Sequence, residues 1–133
     1  MSDAGSPDLL PPVRIVPQQL SAEHHLLRRL SDQQPSTLGQ VLRAVLRTWP
    51  EYTSLGVNPD LPTPRARNAW ARIAAEPWTR PAPPGMGSGL LLTGHGEVRL
   101  ENLYRQQVVM PWARAVEAQF GRDVARRALA EFR

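Results

Sequence analysis

Apolar residues recur at helical spacing in three stretches of the chain. Leu38, Val41, Leu42, Val45, Leu46 and Trp49 follow an i, i+3, i+4, i+7 pattern and predict an amphipathic helix over 38–49. Thr37 or Ser36 can cap its start, Pro50 stops it, and Arg43 and Arg47 fall on its exposed side. Pro64 suits the first position of a second helix over 64–76, which Pro77 ends. Its inward face carries Trp70, Ile73, Ala74 and either Ala66 or Ala69. Tyr104, Val108, Trp112, Val116 and Phe120 recur every four positions and predict a third helix over 103–120. Pro111 lacks an N–H and its ring clashes with the Gln107 carbonyl, so a kink or a restart is expected there.

Between the second and third helices the period changes. Gly89 to Thr93 is a short apolar run, Gly94-His95-Gly96 has turn composition, and Glu97 to Glu101 alternates polar and apolar. This predicts an antiparallel hairpin over 89–101, with Arg99 on the face opposite Val98 and Leu100. Gly121 suits a helix C-cap. Residues 123–132 suit a final helix or a strand. Residues 1–17 carry four prolines among Ser, Asp and Gly and predict an unpacked arm before about residue 20. A short helix follows, capped by Ser21 and ending near Leu30. The expected organisation is therefore a Pro-rich arm with a short helix over 1–36 and a small α+β interaction domain over 37–133. The expected core joins Leu42, Leu46, Trp70, Ile73, Leu91, Val98, Leu100, Val108, Trp112 and Val116.

Composition narrows the chemistry. With 133 residues and no cysteine, the chain can bury one modest core and has no disulfide, thiolate ligand or cysteine nucleophile. No apolar run approaches a membrane span and the first residues lack a secretory pattern, so a cytoplasmic protein without a membrane partner is expected. All 16 basic residues are arginine, and the net charge is +4. From Leu61 onward 11 arginines face 6 acids; before it 5 face 6, so the basic part is the expected domain. Arginine suits phosphate contacts through its planar fork, although charge alone does not establish them.

Catalytic groups are sparse, and no enzyme, cofactor or metal site is expected. His24 and His25 are adjacent, so they point about 100° apart on a helix and read as surface residues. His95 reads as a turn residue. Gly85-Met86-Gly87-Ser88-Gly89 neither follows a strand nor opens a helix, as a phosphate-cradling loop should, and reads as a flexible hairpin approach. The arginines carry the better lead. Arg65 and Arg72, seven apart, share one helical face, and Arg80 follows in the next loop. Trp78, beside Thr79 and Arg80, can stack on an unpaired base or plug the end of the core. The candidate nucleic-acid-binding set is Arg65, Arg72, Trp78, Arg80 and Arg99. Tyr104, Arg105 and Arg114, on the long helix, form the candidate partner-binding set.

Two resemblances sharpen this. Leu38-Gly39-Gln40-Val41-Leu42-Arg43-Ala44-Val45-Leu46 resembles the opening helix of the bacterial helicase-operator family DciA. Trp70-Ala71-Arg72-Ile73-Ala74, then Trp78-Thr79-Arg80-Pro81 and Gly89-Leu90-Leu91-Leu92, resemble that family's tryptophan helix, its Thr-Arg-Pro segment and the strand after it. Glu97-Val98-Arg99-Leu100-Glu101-Asn102-Leu103-Tyr104, backed by Val108, Trp112 and Val116, is similar to the N-terminal domain of the initiator DnaA. The resemblances imply a small KH-like domain that acts as a DNA-replication accessory. It would bind the replicative helicase, and single-stranded or forked DNA through its arginines. The rival expectation is a protein-only adaptor or regulatory domain without nucleic-acid binding.

Overall fold

The computed structural model describes residues 10–132. A 3-10 turn, Pro17–Gln19, leads into α1 (Ala22–Leu27), α2 (Leu38–Thr48) and α3 (Pro64–Ala75). Two short strands follow, β1 (Thr79–Pro81) and β2 (Leu90–Leu92). The chain closes with α4 (Gly94–Tyr104), a π turn (Arg105–Val109), α5 (Met110–Phe120) and α6 (Arg122–Ala130). β1 and β2 pair antiparallel, with Thr79 opposite Leu92 and Pro81 opposite Leu90. The fold is α+β: helices around a two-stranded antiparallel sheet.

Side-chain caps set the helix starts. Ser21, Thr37, Thr63 and Thr93 each accept a hydrogen bond from the backbone N–H three residues on. At α2 this becomes a reciprocal capping box, because Gln40 Oε1 accepts from Thr37 N at 2.8 Å. Pro64 occupies the first turn of α3, where no N–H is needed. The apolar stripes of α1, α2 and α3 meet in one core through Leu26, Leu27, Val41, Leu42, Val45, Ala66, Ala69 and Ile73. Leu90, Leu92 and Leu103 join it, with Tyr52 and Leu55 from the loop after α2. Ala74, expected inside, is exposed, and the inward alanines of α3 are Ala66 and Ala69.

The sheet is displaced from its expected place. β2 pairs backward with Thr79–Pro81, and the segment expected as a turn and second strand, Gly94–Glu101, is the first part of α4. The five-residue alternation was a coincidence of phase. Gly96, Leu100 and Leu103, at i, i+4 and i+7, turn inward, while Val98, expected in the core, is 57% exposed. Gly96 is required by proximity: a Cβ there would overlap the carbonyl oxygen of Trp78 and the Leu92 side chain. Gly89, at φ +115°, likewise lies against the Ser36 backbone, to which Leu90 is hydrogen bonded.

The long helix starts at Gly94 and does not break at Pro111. Tyr104, Arg105, Val109 and Met110 all keep helical dihedrals, so 94–120 is one rod. The clash expected between Pro111 and the Gln107 carbonyl is avoided by the π turn just before it. The extra residue shifts the inward face: Leu103 and Val108, five apart, are both buried, followed by Val109, Ala113 and Val116. Trp112, Trp70, Leu46 and Leu100, expected in the core, are half-buried. Residues 123–132, left open between helix and strand, form α6 and its end.

The division at residue 36 also changes. Leu20, Ala22, Leu26, Leu27 and Leu30 are buried, and all but Leu20 join the same core cluster as α2 and α3. Pro17 is buried, and Trp112 Nε1 donates to Pro11 O at 2.8 Å. Residues 11–20 are therefore packed rather than free; the first nine residues of the expected arm lie outside the described residues.

Candidate nucleic-acid interface and partner groove

Arg65 and Arg72 share an exposed face of α3, as their spacing predicts, but both already have partners. Arg65 Nη1 donates to Tyr52 Oη at 3.0 Å and to Ser54 Oγ. Arg72 forms an ion pair with Glu23 of α1. These two guanidiniums tie α3 to α1 and to the loop after α2. Arg80, in β1, is exposed. Arg99, expected on a strand, lies on α4, and its guanidinium carbon sits 4.9 Å from the centre of the Trp78 ring. Trp78 is half-buried against the core, so one face of its ring is already covered by a cation. Arg80 is thus the freest member of the expected set.

Tyr104, Arg105 and Arg114 lie on the single rod, Tyr104 half-buried and the two arginines exposed. Tyr104 and Glu101 stand between two adjoining clefts. One, of about 340 Å³, is lined by His24, Arg28, Leu100, Glu101 and Tyr104. The other, of about 420 Å³, is lined by Glu101, Tyr104, Arg105, Val109, Glu131 and Phe132. Tyr104 and Arg105 therefore belong to one groove across the start of the π turn; Arg114 does not line it.

His24 and His25, expected on the surface, are 2% and 0% exposed. His25 Nε2 lies 2.8 Å from Pro17 O, which can only accept, so Nε2 carries the proton. Its ring stacks on Tyr52, with centroids 4.9 Å apart, and meets Trp49 edge-on. Burial pushes the His25 pKa down to about 4 despite that carbonyl. His24 Nδ1 is 2.9 Å from Gln107 Oε1, which also accepts from Ser21 N at 3.0 Å. A backbone N–H can only donate, which fixes the amide orientation and places a proton on His24 Nδ1. Burial lowers the His24 pKa as well. Both histidines are structural, and the residue that orients His24, Gln107, is not among the sequence candidates. The only signal for it was its place four residues before Pro111.

Among the described residues no group of three His, Asp or Glu side chains is arranged to hold a metal, and no helix is long and apolar enough to cross a membrane. His95 is exposed in the first turn of α4. No family model matches the chain, and no curated protein or solved structure matches it either.

Proposed function

We propose that this chain is a cytoplasmic DNA-replication accessory protein that binds single-stranded or forked DNA through exposed arginines and a protein partner, the replicative helicase, through the groove around Tyr104. One observation carries the nucleic-acid half. Among the described residues only Arg72 and Arg122 lie within ion-pair distance of a carboxylate, while Arg80, Arg105, Arg114, Arg126 and Arg127 are exposed without one. Exposed guanidiniums not neutralised by neighbours are available to phosphates. The helicase half draws on the resemblances of 38–46, 70–92 and 97–104.

Fluorescence anisotropy of a labelled dT oligomer against salt concentration tests the reading. Binding should weaken linearly on a log–log plot, each phosphate contact contributing roughly 0.7 to the slope. Absence of binding at low salt sinks the nucleic-acid half. The second reading, a protein-only adaptor, is favoured by the engagement of Arg65, Arg72 and Trp78 with neighbouring side chains of the same chain.

A further inference from the structure

The chain before α1 is held unevenly. From Pro17 to Ser21 it is anchored: Pro17 O accepts from His25 Nε2 at 2.8 Å, and Ser21 N donates to Gln107 Oε1 at 3.0 Å. From Leu10 to Ile15 there is no such support. Among the described residues, no backbone N–H or C=O of that stretch pairs with another backbone group. Its one polar tie is the bond that Trp112 Nε1 donates to Pro11 O at 2.8 Å. Pro11, Val13 and Ile15 are half-buried while Pro12, Arg14 and Val16 are exposed, the two-residue alternation of an extended segment laid on a surface. A stretch with one hydrogen bond, no fully buried side chain and a firm anchor at its Pro17 end is the part of a fold that opens first.

We propose that residues 10–16 are a displaceable strap, seated in cis where a proline-bearing extended segment of a partner protein docks in trans. The ligand class is read from the occupant: Leu-Pro-Pro-Val-Arg-Ile-Val runs over α5 with a proline carbonyl on the indole N–H. Proline-bearing segments dock on aromatic side chains in this way, because they are already extended and lose little entropy on binding. Beneath the strap, Trp112 meets Phe132 edge-on, with centroids 5.1 Å apart. Phe132 also lines the cleft of about 420 Å³ with Tyr104 and Val109. When the strap lifts, the indole N–H loses its acceptor and Trp112 is opened beside that cleft. An incoming segment then finds a polar anchor and an apolar path toward Tyr104. The strap stays tethered at Pro17, so it competes at an effective concentration on the order of millimolar and sets a threshold for any partner. The inference does not require the partner to be the replicative helicase, nor the chain to bind DNA.

Hydrogen exchange and peptide titration of the full ¹⁵N-labelled chain test this. The Trp112 indole N–H should be protected at least about tenfold less than the Val116 amide one turn further along α5, because the strap opens without the helix. The probe is acetyl-Leu-Pro-Pro-Val-Arg-Ile-Val-amide, the sequence of residues 10–16. Val13→Ser with Ile15→Ser should weaken the strap in cis. The probe should then bind at least about tenfold more tightly than to the parent chain, shifting the Trp112 indole and Phe132 signals. The same probe with both prolines replaced by glycine should bind that variant more weakly. Indole protection equal to that of Val116 overturns the proposal. So does a probe that binds parent and variant equally or not at all, or a glycine probe that binds as well. Where the double variant fails to fold, the protection measured on the parent decides. A dimer that grows with concentration and is dissociated by the probe assigns the seat to the strap of a second copy, and overturns the partner protein as its occupant.

Discussion

His24 and Gln107, 83 positions apart, are joined by a 2.9 Å hydrogen bond. The same amide accepts from Ser21 N and donates to Ser21 Oγ at 3.2 Å, so one side chain on the π turn closes the start of α1 onto the long rod. This polar tie adds to the apolar packing of Leu26, Leu27 and Leu30 that brings the region before α2 into the fold.

Gln107→Ala should therefore cost about 2–3 kcal/mol, because it strands the Ser21 N–H and the His24 Nδ1–H in a part-buried site. Urea denaturation measures the loss, and hydrogen exchange should place the earliest added opening in α1. A cost within about 0.5 kcal/mol would mean that water replaces the amide.

Acid should destabilise the protein through His25. Its folded-state pKa is about 4 against an ordinary 6.5, so the unfolded chain binds more protons between those values. The contribution is whole above the unfolded pKa and is lost as pH falls toward the folded one, reaching about 3 kcal/mol. His24 adds in the same direction. Urea midpoints at about pH 7 and about pH 4, for the parent chain and for His25→Phe, isolate the effect. Phe keeps a ring on Tyr52 and should flatten the pH dependence; an unchanged slope would place the sensitivity elsewhere.

Gly96→Ala and Gly94→Ala should separate two roles of neighbouring glycines. A Cβ at Gly96 meets the Trp78 carbonyl, which cannot yield without breaking its bond from Thr93 N, so a loss of about 1–3 kcal/mol is expected. A Cβ at Gly94 meets nothing within 4 Å, and alanine there should be neutral or stabilising by up to about 1 kcal/mol. Equal thermal shifts for both would contradict the close approach.

Much of this was written locally and some of it could not be. α2 and α3 were legible because cap, apolar stripe and terminating residue all lie within one short window. α4 was not. Two glycines near its start mimic a turn, and the reason for Gly96 is the Trp78 backbone, 18 positions earlier in the chain. β1 is three residues long, contains a proline, and exists only by pairing with β2. On the site, spacing placed Arg65 and Arg72 on one face correctly. Their partners Tyr52 and Glu23 come from other elements, so their engagement was invisible. The burial of His24 and His25 depends in the same way on Gln107 and Pro17.

That distinction can be measured. Arg126→Ala with Arg127→Ala, both exposed on α6, should flatten the salt slope of dT binding by about 1.4 and leave melting nearly unchanged. Arg65→Ala with Arg72→Ala should leave the slope alone and lower stability by about 1 kcal/mol, through the lost bonds to Tyr52, Ser54 and Glu23. The reverse pattern would restore α3 as the DNA face.

The π turn sets the phase of everything after it. One residue in a helix corresponds to about 100° of rotation. Removing a single residue between Arg105 and Val109 would let the rod relax to a plain α-helix and swing α5 by that angle. Ala113 and Val116 would then leave the interior, and the Trp112 indole would lose its place against Pro11 and Phe132. The length of this segment is thus a structural constant in its own right: substitutions within it are tolerable one by one, but a one-residue deletion is equivalent to repacking the whole C-terminal helical hairpin.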